Sequence, residues 1–319
     1  MEKLKSIDLS HSTRLTETPN FSGVVNLEQL ILQGCISLRK LHTSIGVLNK
    51  LKLLNLRDCK MLKSLSESIC CISSLQTLVV SGCCKLNNFP ENLGKLEMLK
   101  ELYADETAVT EVPSSMGFLK NLETFSFQGR KGPSPAPSSM LRTRSDSMGF
   151  ILPHVSGLSS LLKLNLSDRN ILDGARLSDL GLLSSLKILI LNGNNFDTLP
   201  GCISQLFLLG WLESKNCQRL QALPELPSSI GYIGAHNCTS LEAVSNQSLF
   251  SSLMIAKLKE HPRRTSQLEV SSLFKFHGII VTVQNIRSKQ NKNKKFCNYV
   301  FFSSYFFNSQ SFIVVSNLI

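Results

Sequence analysis

Residues 51–72 read LKLLNLRDCKMLKSLSESICCI. Eight positions in this stretch carry a hydrophobic residue or a cysteine at fixed spacing: Leu51, Leu54, Leu56, Cys59, Leu62, Leu65, Ile69 and Ile72. Leu54 and Leu56 are separated by one residue, so on extended backbone they point to the same side, while Leu53, Asn55 and Arg57 point to the other. That is a short strand with one buried face. The second half, around Leu62, Leu65 and Ile69, has no alternation, and irregular or short helical structure is expected there.

The same unit recurs along the chain. Its first apolar residue falls at Leu4, Leu27, Leu51, Leu75, Leu99, Leu122, Leu161, Leu186 and Leu209, and Ile230 opens a degenerate last copy. Consecutive copies start 21 to 25 residues apart, with one gap of 39 between Leu122 and Leu161. A single unit cannot bury its own leucines; stacked copies bury them against one another. The expected architecture is an α/β leucine-rich repeat solenoid, a horseshoe with a parallel sheet on its concave face. Strands lie ~4.8 Å apart and the returning half is thicker, so the stack curves with the strands inside. Residues 1–245 should form this solenoid in about nine or ten repeats.

Cys35, Cys59, Cys83, Cys217 and Cys238 share one slot, eight residues after the first apolar residue of their copy. Ser12, Thr107 and Asn194 occupy it elsewhere. All are small or polar and able to bond backbone at a tight turn, so a buried structural ladder is expected and a metal or redox role is not. No CxxC pair or His/Cys cluster has zinc spacing. Pro90, Pro113, Pro200 and Pro224 mark the returning turn.

Two regions depart from the pattern. Residues 131–160 (KGPSPAPSSMLRTRSDSMGFILPHVSGLSS) interrupt the array and read as a loop insertion. Residues 246–319 read as a basic, aromatic-ended, poorly ordered tail. From 257 onward it holds ten basic groups and two acidic ones, a net +8 of the chain's +11, leaving +3 for the first 256 residues. The nearly balanced body argues against a nucleic-acid groove. Asn298, Ser303, Ser304, Asn308, Ser309, Gln310 and Ser311 interrupt the aromatic end, FCNYVFFSSYFFNSQSFIVVSNLI, and disfavour a membrane anchor.

No phosphate loop, HExxH or GxSxG occurs, and the six histidines, His236 on the inner face among them, have no paired nucleophile. No enzyme activity and no cofactor are expected. The working surface is then the outward columns of the sheet. Their candidate protein-binding residues are Ile31, Leu53, Asn55, Arg57, Val79, Glu101, Tyr103, Asp105, Ile188, Ile190, Trp211, Glu213 and Lys215. Apolar and aromatic groups among charges of both signs suit a protein partner.

The run at 4–62, LKSIDLSHSTRLTETPNFSGVVNLEQLILQGCISLRKLHTSIGVLNKLKLLNLRDCKML, resembles the repeat region of plant TIR-type nucleotide-binding leucine-rich repeat disease-resistance proteins. So do LYADETAVTEVPSSMGFLKNLETFSFQGRKG (102–132), LILNGNNFDTLP (189–200) and LPELPSSIGYIGAHNCTSLEAVS (223–245). The resemblance covers roughly residues 1–265. It implies a region that contributes to recognition of pathogen effectors and restrains a nucleotide-binding switch. The implied partners are a receptor's nucleotide-binding domain or a pathogen effector, and the implied location is the cytoplasm, with the nucleus as a second compartment. The family's TIR and nucleotide-binding motifs do not occur, so those activities are not carried over.

The rival readings are an extracellular receptor ectodomain, an adaptor for ubiquitin ligation and a non-functional fragment. Sequons at Asn20, Asn165, Asn237 and Asn246 favour the first. The LPxxI repeat style, the absence of a signal segment before Met1 and the inward-sheet position of Asn165 oppose it. No F-box precedes the repeats to support the second.

Overall fold

The computed structural model describes residues 3–130, 155–171, 177–241 and 243–244. The strands are β1 (Ser6–Asp8), β2 (Gln29–Ile31), β3 (Leu53–Asn55), β4 (Thr77–Val79), β5 (Glu101–Tyr103), β6 (Thr124–Ser126), β7 (Lys163–Asn165), β8 (Ile188–Ile190), β9 (Trp211–Glu213), β10 (Ala222–Leu223), β11 (Tyr232–Gly234) and β12 (Ala243–Val244). β1 to β9 and then β11 form one open, ten-stranded parallel sheet in chain order. Equivalent residues pair one to one, Ile7 with Leu30, Leu30 with Leu54, Leu54 with Leu78, and so on. The fold is a leucine-rich repeat solenoid. Its returning half is made of short 3-10 turns, such as Thr43–Val47, Glu67–Cys71 and Gly201–Gln205. A narrower parallel ladder runs opposite the sheet, through Glu17 with Lys40, Ser64 with Asn88, and β10 with β12.

The core is a set of leucine columns. Leu51, Leu54, Leu56, Leu62, Ile69 and Ile72 are all fully buried, as are their counterparts in neighbouring copies. Leu4, in the first copy, remains 40% exposed, because it has a neighbouring copy on one side alone. The cysteine slot has a physical account. Each thiol donates to a carbonyl of the preceding copy: Cys35 to Leu9 at 3.1 Å, Cys59 to Leu32 at 3.2 Å, Cys83 to Leu56 at 3.1 Å and Cys238 to Ser214 at 2.9 Å. Asn194 does the same from its amide, to Leu166 at 2.9 Å. The slot closes a tight turn whose preceding residue is left-handed in most copies, as at Asp58, Gly82 and Asn216. The Cys83 thiol and burial together push the Cys59 thiol up, so it stays a protonated donor.

Part of the expected interruption belongs to the repeat. Val155–Gly157 is a 3-10 turn and Val155 and Leu158 are buried, at the positions that Ile69 and Ile72 hold before Leu75, so the copy opened by Leu122 completes its return before Leu161. Counting leucines alone set that boundary too late. Residues 131–154 and the tail expected at 246–319 lie outside the described residues. Across the join the core switches from leucine to phenylalanine: Phe125 and Phe127 stack at 5.4 Å. Arg169 lies 3.4 Å over the Phe127 ring and donates to the carbonyls of Phe127 (2.5 Å) and Val109 (2.8 Å). Burial lowers its guanidinium to about 10, so it remains charged at neutral pH.

One position in the inward strand columns breaks their apolar rule. Ser214 occupies an inward strand site, is fully buried, and its hydroxyl has no hydrogen-bond partner among the described residues. Ser214→Ala should raise stability by about 1 kcal/mol in denaturant melts, since it removes an unmet polar group without adding volume. A loss of that size instead would show that the hydroxyl is satisfied.

Candidate functional site: the inner sheet face

Three outward columns cover the inner face, contributed by the first and third strand residues and the residue two further on. Every candidate from the sequence lies in them, and all are half-buried except Arg57, which is exposed. The structure gathers them into two patches. Ile31, Leu53, Asn55, Arg57, Val79, Glu101, Tyr103 and Asp105 occupy β2 to β5 and the residues just beyond them. Ile188, Ile190, Trp211 and Glu213 occupy β8 and β9, and Lys215 lies two residues beyond β9. From β5 to β8 is three strand steps, roughly 14 Å.

The ground between the patches is small and polar. Ser126 donates to Asp105 at 2.6 Å, Asn165 donates to Ser126 at 3.2 Å, and Ser167 donates to Asn165 at 2.7 Å. Asp105 also accepts the Gln128 N–H at 2.8 Å. These residues hold one another across three strands, and Asp105 is more committed to its neighbours than its column position suggested. In the first patch, burial pushes the Tyr103 phenol up, reinforced by the Glu101 and Asp105 carboxylates on either side of it. Tyr103 therefore offers a neutral hydroxyl and a half-covered ring.

The second patch is more tightly organised. Trp211 and Tyr232 stack at 3.8 Å between ring centroids. Glu213 accepts from Trp211 Nε1 at 3.2 Å, from Lys215 Nζ at 2.8 Å and from Asn192 Nδ2 at 3.0 Å. Burial pushes the Glu213 carboxyl up, but the hydrogen bonds from Asn192 and Lys215 outweigh it and hold the group below its usual range. Burial likewise lowers Lys215, and Glu213 more than restores it. A depressed acid stabilises above its unfolded value and a raised lysine below its own, so the pair persists through neutral pH. Burial, and then Lys215, lower His236 beside it.

Tyr232 and Asn192 were missed as site residues in the sequence. Both were legible in principle. Tyr232 holds the first-column position directly across from Trp211, in a copy whose leucines are degraded. Asn192 lies in the same column as Lys215. What column patterns cannot show is who stacks on whom.

Among the described residues no helix is long and apolar enough to cross a membrane. No family model matches the chain. It is similar to disease resistance-like protein DSC1 of Arabidopsis thaliana, 37% identical over 69% of this chain and 17% of that protein. It is also similar to TMV resistance protein N of Nicotiana glutinosa, 34% identical over 72% of this chain and 25% of that protein. The chain thus spans about a sixth to a quarter of the length of these relatives. Among solved structures, the leucine-rich repeat domain of the type III effector XopL superposes with a TM-score of 0.55 at 23% identity, over 72% of this chain and 75% of that one, which is a likeness of fold. The chain is therefore a leucine-rich repeat solenoid whose homologues are the plant TIR-type nucleotide-binding leucine-rich repeat disease-resistance proteins.

Proposed function

We propose that this chain is the protein-binding repeat region of an intracellular plant immune receptor, acting without catalysis of its own. Its inner face engages a protein, either a pathogen effector or the nucleotide-binding domain that the repeats restrain. The observation that carries the reading is the pair of half-exposed apolar and aromatic patches, around Tyr103 and around Trp211, on a sheet made rigid by in-register pairing. Aromatic anchors ringed by polar groups are where protein interfaces concentrate their energy. Homology to resistance proteins supports the immune setting. Asn165 speaks against the extracellular alternative: its amide donates to Ser126 within the sheet surface, where a glycan would displace the neighbouring side chains.

The test uses the nucleotide-binding domain of a homologous resistance protein as the probe. Binding to this chain should be measurable by calorimetry, and Tyr103→Ala and Ile190→Asp should each weaken it about tenfold or more. Lys60→Ala, on the opposite side of the turn, should leave it unchanged. Equal weakening by all three, or none by the first two, would remove the inner face as the binding surface.

A further inference from the structure

Nine large apolar side chains stand exposed among the described residues, and seven of them lie on one flank of the solenoid. This flank is formed by the connections running from each 3-10 turn to the next strand. The most exposed are Phe207 (75%), Phe118 (68%), Leu182 (55%) and Leu208 (53%). Backbone bonds hold these connections in register: Lys52 N–H to Glu28, Lys100 N–H to Gln76, Glu123 N–H to Lys100, Lys187 N–H to Leu162 and Gly210 N–H to Lys187. Their side chains therefore emerge on a common side. Among the described residues, the opposite flank, where the strands end, exposes a single large apolar side chain, Ile36.

The same connections are basic in a particular way. Between Lys3 and Lys187 they carry eight lysines and no arginine, against Glu28, Glu97 and Glu123, a net +5. Lys5 and Lys52 share Glu28, whose carboxyl their hydrogen bonds and charges hold down to about 2, and Lys100 pairs with Glu123 at 3.2 Å. Lys95 and Lys120 line one open recess together with the Phe118 ring. On the last copies one connection carries Leu182, Ser184, Ser185 and Lys187, and the next carries Phe207 and Leu208 at the positions equivalent to the two serines.

We infer that this flank docks on an anionic lipid surface. Phe118 and the Leu182, Phe207 and Leu208 prongs enter the headgroup boundary, and the lysines meet lipid phosphates and carboxylates. Three features favour lipid over an acidic protein. Protein interfaces enrich arginine and deplete lysine, and this flank has lysine alone. The apolar groups are prongs spread over several copies, each largely exposed, which a fluid surface can accommodate and a rigid partner would have to match knob by knob. Lysine-flanked Phe and Leu side chains are the composition of interfacial binding elements. Lying on its flank, the solenoid keeps its inner face open to a protein, so this inference stands independently of the reading above.

The experiment is flotation of the full chain with vesicles of phosphatidylcholine alone and of phosphatidylcholine with phosphatidylserine. The wild type should float with the anionic vesicles only and release as salt is raised. The basic segment after residue 257 contributes its own attraction, so the flank is read from variants. Lys95→Glu with Lys120→Glu should weaken flotation about tenfold or more, each lysine near the surface being worth roughly fivefold. Lys60→Glu with Lys63→Glu makes the same charge change on the opposite side and should weaken it by far less. Phe207→Ser with Leu208→Ser leaves the charge alone and should also reduce flotation. Circular dichroism should match wild type throughout, since all these side chains are exposed. The proposal is overturned by absence of flotation, by equal loss from both charge reversals, or by indifference to the Phe207 and Leu208 changes; the last would assign the flank to an acidic macromolecule.

Discussion

Replacing Leu54 with Ala, or Leu56 with Ala, should cost about 2–5 kcal/mol in a denaturant melt, whereas Asn55→Ala between them should cost about 0.5–1 kcal/mol. Both leucines are fully buried in the central copies, with another copy packed on each side. Truncation removes three carbons from a close-packed column, and in-register strands on both sides limit how far the gap can collapse. Asn55 faces the other way. It is half-exposed, and what it loses is the bond its side chain accepts from the Arg57 N–H at 2.9 Å. In a solenoid the larger loss has a further consequence. Each copy is stabilised by its neighbours, so weakening a central one can uncouple the two halves and broaden the transition. Similar losses at all three sites would mean that the strand phase is wrong.

That alternation was the most legible feature of the chain. The period of the leucines fixed strand direction, sheet order and inward face together, because one register error would turn every leucine to water. The cysteine slot was legible too, since the sequence alone groups cysteine, threonine and asparagine at one repeat position. The boundary near residue 155 was not, because Val155 and Leu158 fill the return positions of the copy opened by Leu122 but stand far along the sequence from that copy's own strand. The inner face was legible as a list and not as a site. Columns named Trp211, Glu213 and Lys215, but the stack on Tyr232 and the bonds from Asn192 depend on rotamers that no period encodes. The lysine and phenylalanine flank was invisible until the register placed residues from distant copies on one side.

The second large effect should come from a residue that looks minor in the sequence. Asn194 takes the slot that cysteine fills in other copies, and it is completely buried. Its amide donates to the carbonyls of Leu166 (2.9 Å) and Leu191 (2.8 Å), and its side-chain oxygen accepts the N–H groups of Arg169 and Ile171, both at 3.1 Å. No thiol could make all four bonds, and they are needed because the preceding copy's turn, on which Asn194 closes, departs from the others: Asn170 is left-handed as well as Asp168. Asn194→Leu should cost about 2–4 kcal/mol by stranding buried donors and acceptors. Asn194→Asp keeps the shape and both acceptor bonds but turns the second oxygen toward two carbonyls. Burial and those carbonyls would raise the folded-state pKa of the new carboxyl above its unfolded value of roughly 3.9. The penalty should therefore be fully present above the folded pKa, about 3 kcal/mol or more at neutral pH, and shrink as pH falls and the acid regains a proton to donate. Melts of wild type, Asn194→Leu and Asn194→Asp at neutral and mildly acidic pH separate the terms. The aspartate variant should recover relative to the leucine variant on acidification. If the two stay parallel, the Asn194 amide is not the donor that holds Leu166 and Leu191.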